Sequence, residues 1–155
     1  MSPFVLEEVA KAYWHGEGKS VVGGVGKGAF KETFHVTSED GQSEALKIYL
    51  PGHSPQRNER EISAIKRCDH PNIARLKSVE SFEWKGIKYL VSREEFIAGG
   101  TLTNRVSTSL LSAEEVQTLG ATLISAVSHI ASLDLVHRDL KPDNIMLRED
   151  GVTPI

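Results

Sequence analysis

The chain has 155 residues, of which 39% are hydrophobic and 25% are charged, and its net charge is −3. This length fits one ordinary domain, and the composition is typical of a globular chain and not of a disordered one. The charge balance excludes a global basic field that would recruit nucleic acid or an anionic membrane.

The cellular compartment is indicated by the cysteine content and by the apolar runs. A single cysteine, Cys68, cannot form an internal disulfide, which fits a reducing compartment. No apolar run approaches the length of a membrane span, and the acidic start at Glu7 and Glu8 is unlike a signal peptide. We therefore expect a cytoplasmic protein without a membrane segment.

The first 50 residues predict a short leading segment and then strands. Residues 1–20 predict a weak helix and a loop that precede the main unit. Residues 21–36 are rich in glycine and then strand-like, and Asp40 with Gly41 predicts a hairpin turn. A second strand is predicted over residues 45–49, and Pro51 with Gly52 ends it.

The glycine-rich stretch runs Val-Gly-Lys-Gly-Ala-Phe-Lys over residues 25–31. Glycines allow backbone amides to approach phosphate oxygens without a side-chain clash. Taken alone, such a stretch is as consistent with a flexible turn as with a phosphate-binding loop.

A helix is predicted from Ser54 and Pro55 to about Cys68, because a capping hydroxyl precedes a proline at the first helical position. Within it Glu61 shares the apolar stripe of Ile65 and Cys68. A carboxylate on a buried face is costly unless it is paired. The natural partner is Lys47 on the preceding strand, although a strand lysine by itself is usually solvated.

The second half predicts two more strands and a long helix. Strands over 73–82 and 87–91 flank a turn at Lys85 and Gly86. Ser112 and Glu115 form a capping-box pattern before an amphipathic helix over residues 113–132, whose apolar stripe we interpret as core. A short strand over 145–147 and a turn over 149–151 follow.

The most specific pattern is HRDLKPDN at residues 137–144. It sets a carboxylate, an ammonium and an amide at fixed offsets in one short loop, which suits phosphoryl transfer. Eight specified positions in a chain of this length are a negligible coincidence. The other histidines show no metal-like spacing.

This octapeptide resembles the catalytic loop of eukaryotic-type (Hanks-type) serine/threonine protein kinases, and the resemblance covers most of residues 22–148. It implies an α+β, protein kinase-like fold with a small β-rich lobe, one helix of the αC type and the first helical part of a large lobe. The implied boundaries are an N-terminal extension over 1–20, the small lobe and hinge over 21–98, and the beginning of the large lobe over 99–155.

The resemblance also implies roles for the polar residues, with ATP and Mg²⁺ as cofactors and a protein as substrate. Asp139 would accept the proton of the substrate hydroxyl, Lys141 would neutralise charge on the γ-phosphate, and Asn144 would bind Mg²⁺. A pair formed by Lys47 and Glu61 would hold the lysine against the α- and β-phosphates.

The nucleotide contacts implied by the resemblance come from the glycine-rich loop, the second strand, the hinge and the segment after the catalytic loop. The backbone of Glu95 and Ile97 would bind the adenine edge, with Met146 below the ring; each apolar member is equally consistent with ordinary core. The implied set is Val25, Gly26, Lys27, Gly28, Phe30, Lys31, Thr33, Ala45, Lys47, Glu95, Ile97 and Met146.

Three positions depart from the family pattern, Lys31, Thr33 and Glu94, and Thr33 stands where the pattern of the glycine-rich loop closes with valine. Lys31 replaces the third glycine, as a lysine does in the with-no-lysine kinases, but the strand lysine that those kinases lack is present here as Lys47. Lys31 is then either solvated or a second lysine near the phosphates. Glu94 falls at the gatekeeper position, which is usually apolar or threonine; a register shifted by a residue or two is the alternative.

The family's Asp-Phe-Gly tripeptide occurs nowhere in the sequence. We therefore expect a partial or truncated serine/threonine kinase with little or no turnover alone. In such a fragment the helix over 113–132 would lack the helices it normally packs against, so its apolar stripe would be exposed and promote self-association. The alternative is a non-catalytic module that binds a nucleotide or a partner. A small-molecule kinase of the aminoglycoside type is disfavoured, because those enzymes tend to have glycine where Arg138 stands and lack the Lys141-Pro142 pair.

Overall fold

The structure, a computed structural model, describes residues 6–16, 18–52 and 55–155, with only the backbone considered at Arg57. The capping role predicted for Ser54 lies outside these residues. The chain divides into two compact units, one comprising Met1–Glu61 with Leu76–Phe96 and the other Ile62–Arg75 with Ile97–Ile155.

The first unit contains an antiparallel five-stranded sheet. The strands are β1 Ser20–Lys27, β2 Lys31–Thr37, β3 Ser43–Tyr49, β4 Leu76–Trp84 and β5 Ile87–Glu95. Their order in the sheet is β1-β2-β3-β5-β4. Both predicted hairpin turns are confirmed, with left-handed backbone at Gly41 (φ 77°) and at Lys85 and Gly86 (φ 51° and 76°).

The fourth strand begins three residues later than predicted, and the fifth extends four residues further. Before β4 the chain turns, since the Ile73 amide donates to the His70 carbonyl at 3.1 Å and the Asn72 side chain donates to the Pro154 carbonyl at 2.9 Å. The first of these bonds occupies a backbone amide that a strand would have used.

Four helices are described, α1 Leu6–Tyr13, α2 Pro55–Arg67, α3 Leu102–Thr108 and α4 Ala113–Ser132, with a 3₁₀ turn at Pro142–Asn144. The predicted α2 and α4 are confirmed. The capping box of α4 is present: Ser112 accepts from the Glu115 amide at 3.2 Å, and Glu115 accepts from the Ser112 amide at 2.6 Å. None of the described helices is both long and apolar enough to cross a membrane.

Helix α1 packs on one face of the sheet and completes its apolar core. Its buried residues Leu6, Val9 and Ala10, together with Trp14, contact strand residues whose side chains point to the same face. Those strand residues are Phe34, Val36, Leu46, Ile48, Tyr89 and Val91. Their alternation along β2, β3 and β5 is what a half-buried strand requires, and it places the intervening residues on the opposite face.

The second unit has its own small core of Leu102, Ile145 and Leu147, against which leucines of the α3–α4 region pack. The segment before α3 is held to residues 145–147, because Gly99 donates to the Leu147 carbonyl at 2.9 Å. A Cβ at Gly99 would lie 2.1 Å from the Arg148 carbonyl oxygen, so this approach requires glycine.

Candidate functional site

The predicted phosphate-binding loop connects β1 and β2. The register pairs Lys27 with Glu32, and the Gly28 amide donates to the Lys31 carbonyl at 2.9 Å. Val25 and Gly26 lie exposed on the last part of β1. The loop residues named from the sequence therefore lie together, with glycine backbone open to solvent.

The face of the sheet opposite α1 carries the polar residues. Lys31 lies opposite Tyr49, Lys47 lies opposite both Thr33 and Ser92, and the buried Ala45 lies opposite Glu94. Directly opposed residues of antiparallel strands point to the same face. We call this set, Lys31, Thr33, Ala45, Lys47, Tyr49, Ser92 and Glu94, the polar face.

The ion pairs on the polar face differ from the expectation. Lys47 pairs with Glu94, and Glu61 of α2 pairs with Lys31. The expected pairing of Lys47 with Glu61 is therefore wrong in this structure. The physical reason is burial: Glu94 is 3% exposed, while the Glu61 side chain is one-third exposed, so Glu94 has the greater need of a counter-ion.

Tyr49 supports the second of these pairs. The ammonium of Lys31 lies 5.3 Å from the centre of the Tyr49 ring, within the range of a cation–π contact. Burial, and after it the negative charge of Glu61, raises the pKa of the Tyr49 phenol above its usual range. Lys31, Glu61 and Tyr49 thus form one cluster.

The predicted catalytic loop, residues 137–144, brings Asp139, Lys141 and Asn144 together in the second unit. The Asn144 side-chain amide donates to both the backbone carbonyl and a carboxylate oxygen of Asp139, each at 2.8 Å. The Lys141 ammonium lies 3.1 Å from the same carboxylate oxygen. Arg138, just before Asp139, has a φ of 66°, a left-handed conformation that side chains rarely adopt and that clusters at functional sites.

Asp139 is open to solvent, with 64% of its side chain exposed. Hydrogen bonding from Lys141, and then from Asn144, lowers the pKa of Asp139 below its ordinary value. Both donors favour the charged form of the carboxyl. The group is therefore an ionised carboxylate at neutral pH, able to accept a proton or a hydrogen bond from a ligand hydroxyl.

The loop is anchored to α3 at the two residues that flank Asn144. Thr103 donates its hydroxyl to Asp143 at 2.7 Å, and the Leu102 amide donates to the Ile145 carbonyl at 2.8 Å. The 3₁₀ turn at Pro142–Asn144 contains the first of these anchored residues and ends just before the second. Within the turn the Asn144 amide donates to the Lys141 carbonyl at 2.9 Å, which ties these two residues together through the backbone.

The predicted adenine contacts are divided between the two units. Ala45 and Glu95 belong to the sheet, whereas Ile97 and Met146 belong to the second unit, where Met146 bridges to Thr101. Ile97 is buried and Met146 is half-buried. Phe30, in the β1–β2 connection, is half-buried, and its carbonyl accepts from the Leu50 amide at 2.9 Å.

In the sequence Glu94 is recognisable as a departure from the family pattern, but its partner is not, and nothing there marks Tyr49 or Thr103 as part of the site. The spacing of Ser92 and Glu94, two residues apart on one strand, indicates that both side chains lie on the same face. Once β3 and β5 are paired, that face is also the face of Lys47. No comparable signal existed for Thr103, because α3 was not predicted.

A model of the protein kinase domain family matches residues 20–155. The chain is 37% identical over 134 residues to the serine/threonine-protein kinase AtPK1/AtPK6 of Arabidopsis thaliana, covering 82% of this chain and 28% of that protein. It is 35% identical over 127 residues to a probable myosin light chain kinase of Dictyostelium discoideum, covering 80% of this chain and 39% of that protein. It thus spans well under half the length of either relative.

A solved structure supports the same assignment. The crystal structure of Rad53 residues 1–466 in complex with AMP-PNP superposes with a TM-score of 0.78 and 26% sequence identity, covering 96% of this chain and 41% of that one. The five-stranded sheet and the helices correspond to the small lobe and the first part of the large lobe of that fold, as the sequence predicted.

Proposed function

Because the chain belongs to the protein kinase domain family, we propose that it supplies the nucleotide-binding and catalytic-loop residues of a serine/threonine protein kinase. Such an enzyme transfers the γ-phosphoryl group of ATP to a protein hydroxyl. The observation that carries the proposal is the cluster in which Asp139 accepts from both Lys141 and Asn144. A protein substrate, and not a nucleic acid, fits the net charge of −3.

In this proposal Asp139 is the acceptor for the hydroxyl proton of the substrate. A carboxylate whose pKa is lowered stays ionised at neutral pH, so it orients the hydroxyl and receives its proton as the phosphoryl group is transferred. Lys141, already within 3.1 Å of that carboxylate, supplies positive charge next to the position of the transferring group.

Asn144 is the candidate ligand for Mg²⁺. Its amide nitrogen is committed to Asp139 through two hydrogen bonds, which leaves the side-chain oxygen as the atom that can face a metal ion. Mg²⁺ prefers such oxygen donors, so the residue fits the group. When bound, Mg²⁺ would neutralise charge on the phosphates.

The β1–β2 loop and the polar face are the proposed phosphate-binding elements. The exposed backbone around Gly26 and Gly28 offers amides to phosphate oxygens, as in other glycine-rich loops. The backbone of Glu95 and Ile97, with Val25, Ala45 and Met146, is proposed to hold the adenine. Two lysines lie on the polar face, Lys31 and Lys47, and they are the candidates to supply positive charge for the triphosphate.

The test is phosphoryl transfer by the expressed gene product to a serine- and threonine-containing protein substrate, with and without Mg²⁺. We expect Asp139→Asn to lower the turnover at least about 100-fold, since general-base contributions are of this size, while leaving the affinity for ATP within a few-fold. Turnover that is unchanged in Asp139→Asn would refute the assignment.

The second candidate is a module that binds a nucleotide without catalysis. The pairing of Lys47 with Glu94 favours it, because a lysine bound to a buried carboxylate is less available to a phosphate. Calorimetric titration with ATP separates the two candidates: binding without transfer supports the module, binding with transfer supports the enzyme, and no binding refutes both.

Two further proposals concern the cellular location of the protein and its self-association. The single cysteine supports a cytoplasmic location. Exposed apolar side chains on α4, such as Val116 and Ile124 (68% exposed), support self-association. Sedimentation at several protein concentrations tests the second, and a monomer throughout would contradict it.

A further inference from the structure

Two lysines share the polar face, and each has a carboxylate of its own. Lys31 pairs with Glu61 on α2, and Lys47 pairs with Glu94 on β5. We propose that the two lysines have exchanged roles: Lys31 is the lysine that the helix glutamate holds toward the nucleotide phosphates, and Glu94 withholds Lys47 from them. The inference rests on the proposed nucleotide-binding function and assigns its phosphate-contacting residue.

Lys47 is withheld because Glu94 is buried. One oxygen of Glu94 pairs with Lys47, and the other accepts from the Ser92 hydroxyl at 3.1 Å, which is itself fully buried. A phosphate that drew Lys47 away would leave Glu94 as a buried charge without a counter-ion, which is unfavourable. Glu94 thus competes with any phosphate for the ammonium of Lys47.

Lys31 has the properties that the phosphate contact needs. It is the first residue of β2, and its carbonyl accepts from the Gly28 amide at 2.9 Å, so it closes the glycine-rich loop. Its side chain is 29% exposed. An ammonium has three donors, so Lys31 can keep Glu61 and the Tyr49 ring as neighbours and still donate to a phosphate oxygen.

The alternative is a switch in which a bound nucleotide moves Lys47 from Glu94 to Glu61, restoring the arrangement usual for the family. The two accounts differ in which lysine contributes to ATP affinity. They also differ in the role of Glu94, which is an obstacle to Lys47 in our proposal and a temporary partner in the alternative.

The experiment measures the dissociation constants of ATP and of adenosine by calorimetry for the wild type and three variants of the expressed gene product. The variants are Lys31→Met, the double variant Lys47→Met with Glu94→Met, and Lys88→Met. The double variant removes both charges of the pair at once, so that the buried position 94 is not left with an unpaired charge. Lys88 is an exposed lysine of β5 outside the proposed site and serves as the matched control.

We expect Lys31→Met to weaken ATP binding about tenfold, the size of a lost charge-assisted hydrogen bond, without changing adenosine binding. The double variant and Lys88→Met should keep the ratio of ATP to adenosine affinity within about threefold of the wild type. The inference is overturned if the double variant loses ATP affinity selectively while Lys31→Met does not. A wild type that binds neither ligand would instead refute the proposed function.

A rescue variant tests the role of Glu94. In Lys31→Met combined with Glu94→Gln, Lys47 is released from a charged partner and Glu61 has lost its own, so Lys47 is free to take the Lys31 role. We expect ATP affinity to recover at least threefold relative to Lys31→Met alone, with adenosine affinity unchanged. No recovery would overturn the claim that Glu94 withholds Lys47.

Discussion

The two faces of the five-stranded sheet are built from alternate residues of the same strands, yet one face forms the apolar core and the other carries ion pairs. The face under α1 is closed and apolar, with Phe34, Leu46 and Ile48 buried against the helix. The polar face carries two lysines, of which Lys47 pairs with Glu94 on the same face and Lys31 pairs with Glu61 of α2. The alternation of apolar and polar residues along the strands therefore determines the fold on one face. On the other face, the choice between competing ion-pair partners determines the chemistry.

The largest effect on the free energy of unfolding is expected from a substitution on the polar face. Lys47→Met leaves Glu94 buried without a counter-ion, and loss of one partner of a buried pair costs roughly 3–5 kcal/mol of unfolding free energy. Urea denaturation measures it. Lys47→Met combined with Glu94→Met should return close to the wild-type stability, because the pair is replaced by apolar side chains.

If the double variant were as unstable as the single one, the burial argument for the Lys47–Glu94 pair would fail. A single variant with wild-type stability would likewise show that Glu94 does not depend on Lys47.

A slightly smaller effect on the free energy of unfolding is expected from a substitution on the apolar face. Leu6 of α1 is 1% exposed and belongs to the core under the sheet. Leu6→Ala should lower the unfolding free energy by about 3 kcal/mol, the middle of the range for buried leucines, with no change in the ratio of ATP to adenosine affinity. Chemical denaturation and calorimetry measure the two quantities.

The matched control is Glu7→Ala, which removes an exposed i, i+4 pair with Lys11 on the same helix and should cost about 0.5 kcal/mol or less. Equal effects of the two substitutions would contradict the assignment of α1 to the core.

The smallest effect on the free energy of unfolding is expected from the charged residues at the rim of the apolar face. Glu44 is buried there; burial opposes its ionisation, but hydrogen bonds from Arg93 at 2.9 Å and the nearby Lys77 prevail and lower the pKa of Glu44 below its ordinary value. The Arg93 guanidinium in turn lies 4.9 Å from the centre of the Trp14 ring. This network joins the strands to the end of α1.

Because the folded pKa of Glu44 is lowered, its contribution to stability is present above the unfolded value and is lost as the pH falls through the folded one. The difference in unfolding free energy between the wild type and Glu44→Gln should therefore shrink from pH 7 toward pH 3. Denaturation at a series of pH values measures it, and a difference that grew on acidification would contradict the assignment.

The sequence predicted the parts of the molecule that local chemistry determines. The turns at Gly41 and Gly86, the start of α2 at Pro55 and the capping box at Ser112 all depend on residues within one turn of each other. The cluster in the predicted catalytic loop could also be predicted, because Asp139, Lys141 and Asn144 lie within six residues of one another in the sequence.

The partners of the two lysines were not predictable in the same way. They depend on how β3 pairs with β5 and on which of two carboxylates is buried more deeply, and both are properties of the folded sheet. Helix α3 was missed because its seven residues include only two apolar ones, Leu102 and Val106, too few to show a periodic pattern.

The most direct test of the central claim, that the polar face binds triphosphate through Lys31, is labelling with an acyl-phosphate derivative of ATP. The acyl group passes to the lysine amine that lies at the phosphates, ATP is released, and peptide mapping by mass spectrometry identifies the modified residue. We predict modification at Lys31 that excess ATP suppresses. ATP-sensitive modification at Lys47, with Lys31 unmodified, would contradict the account.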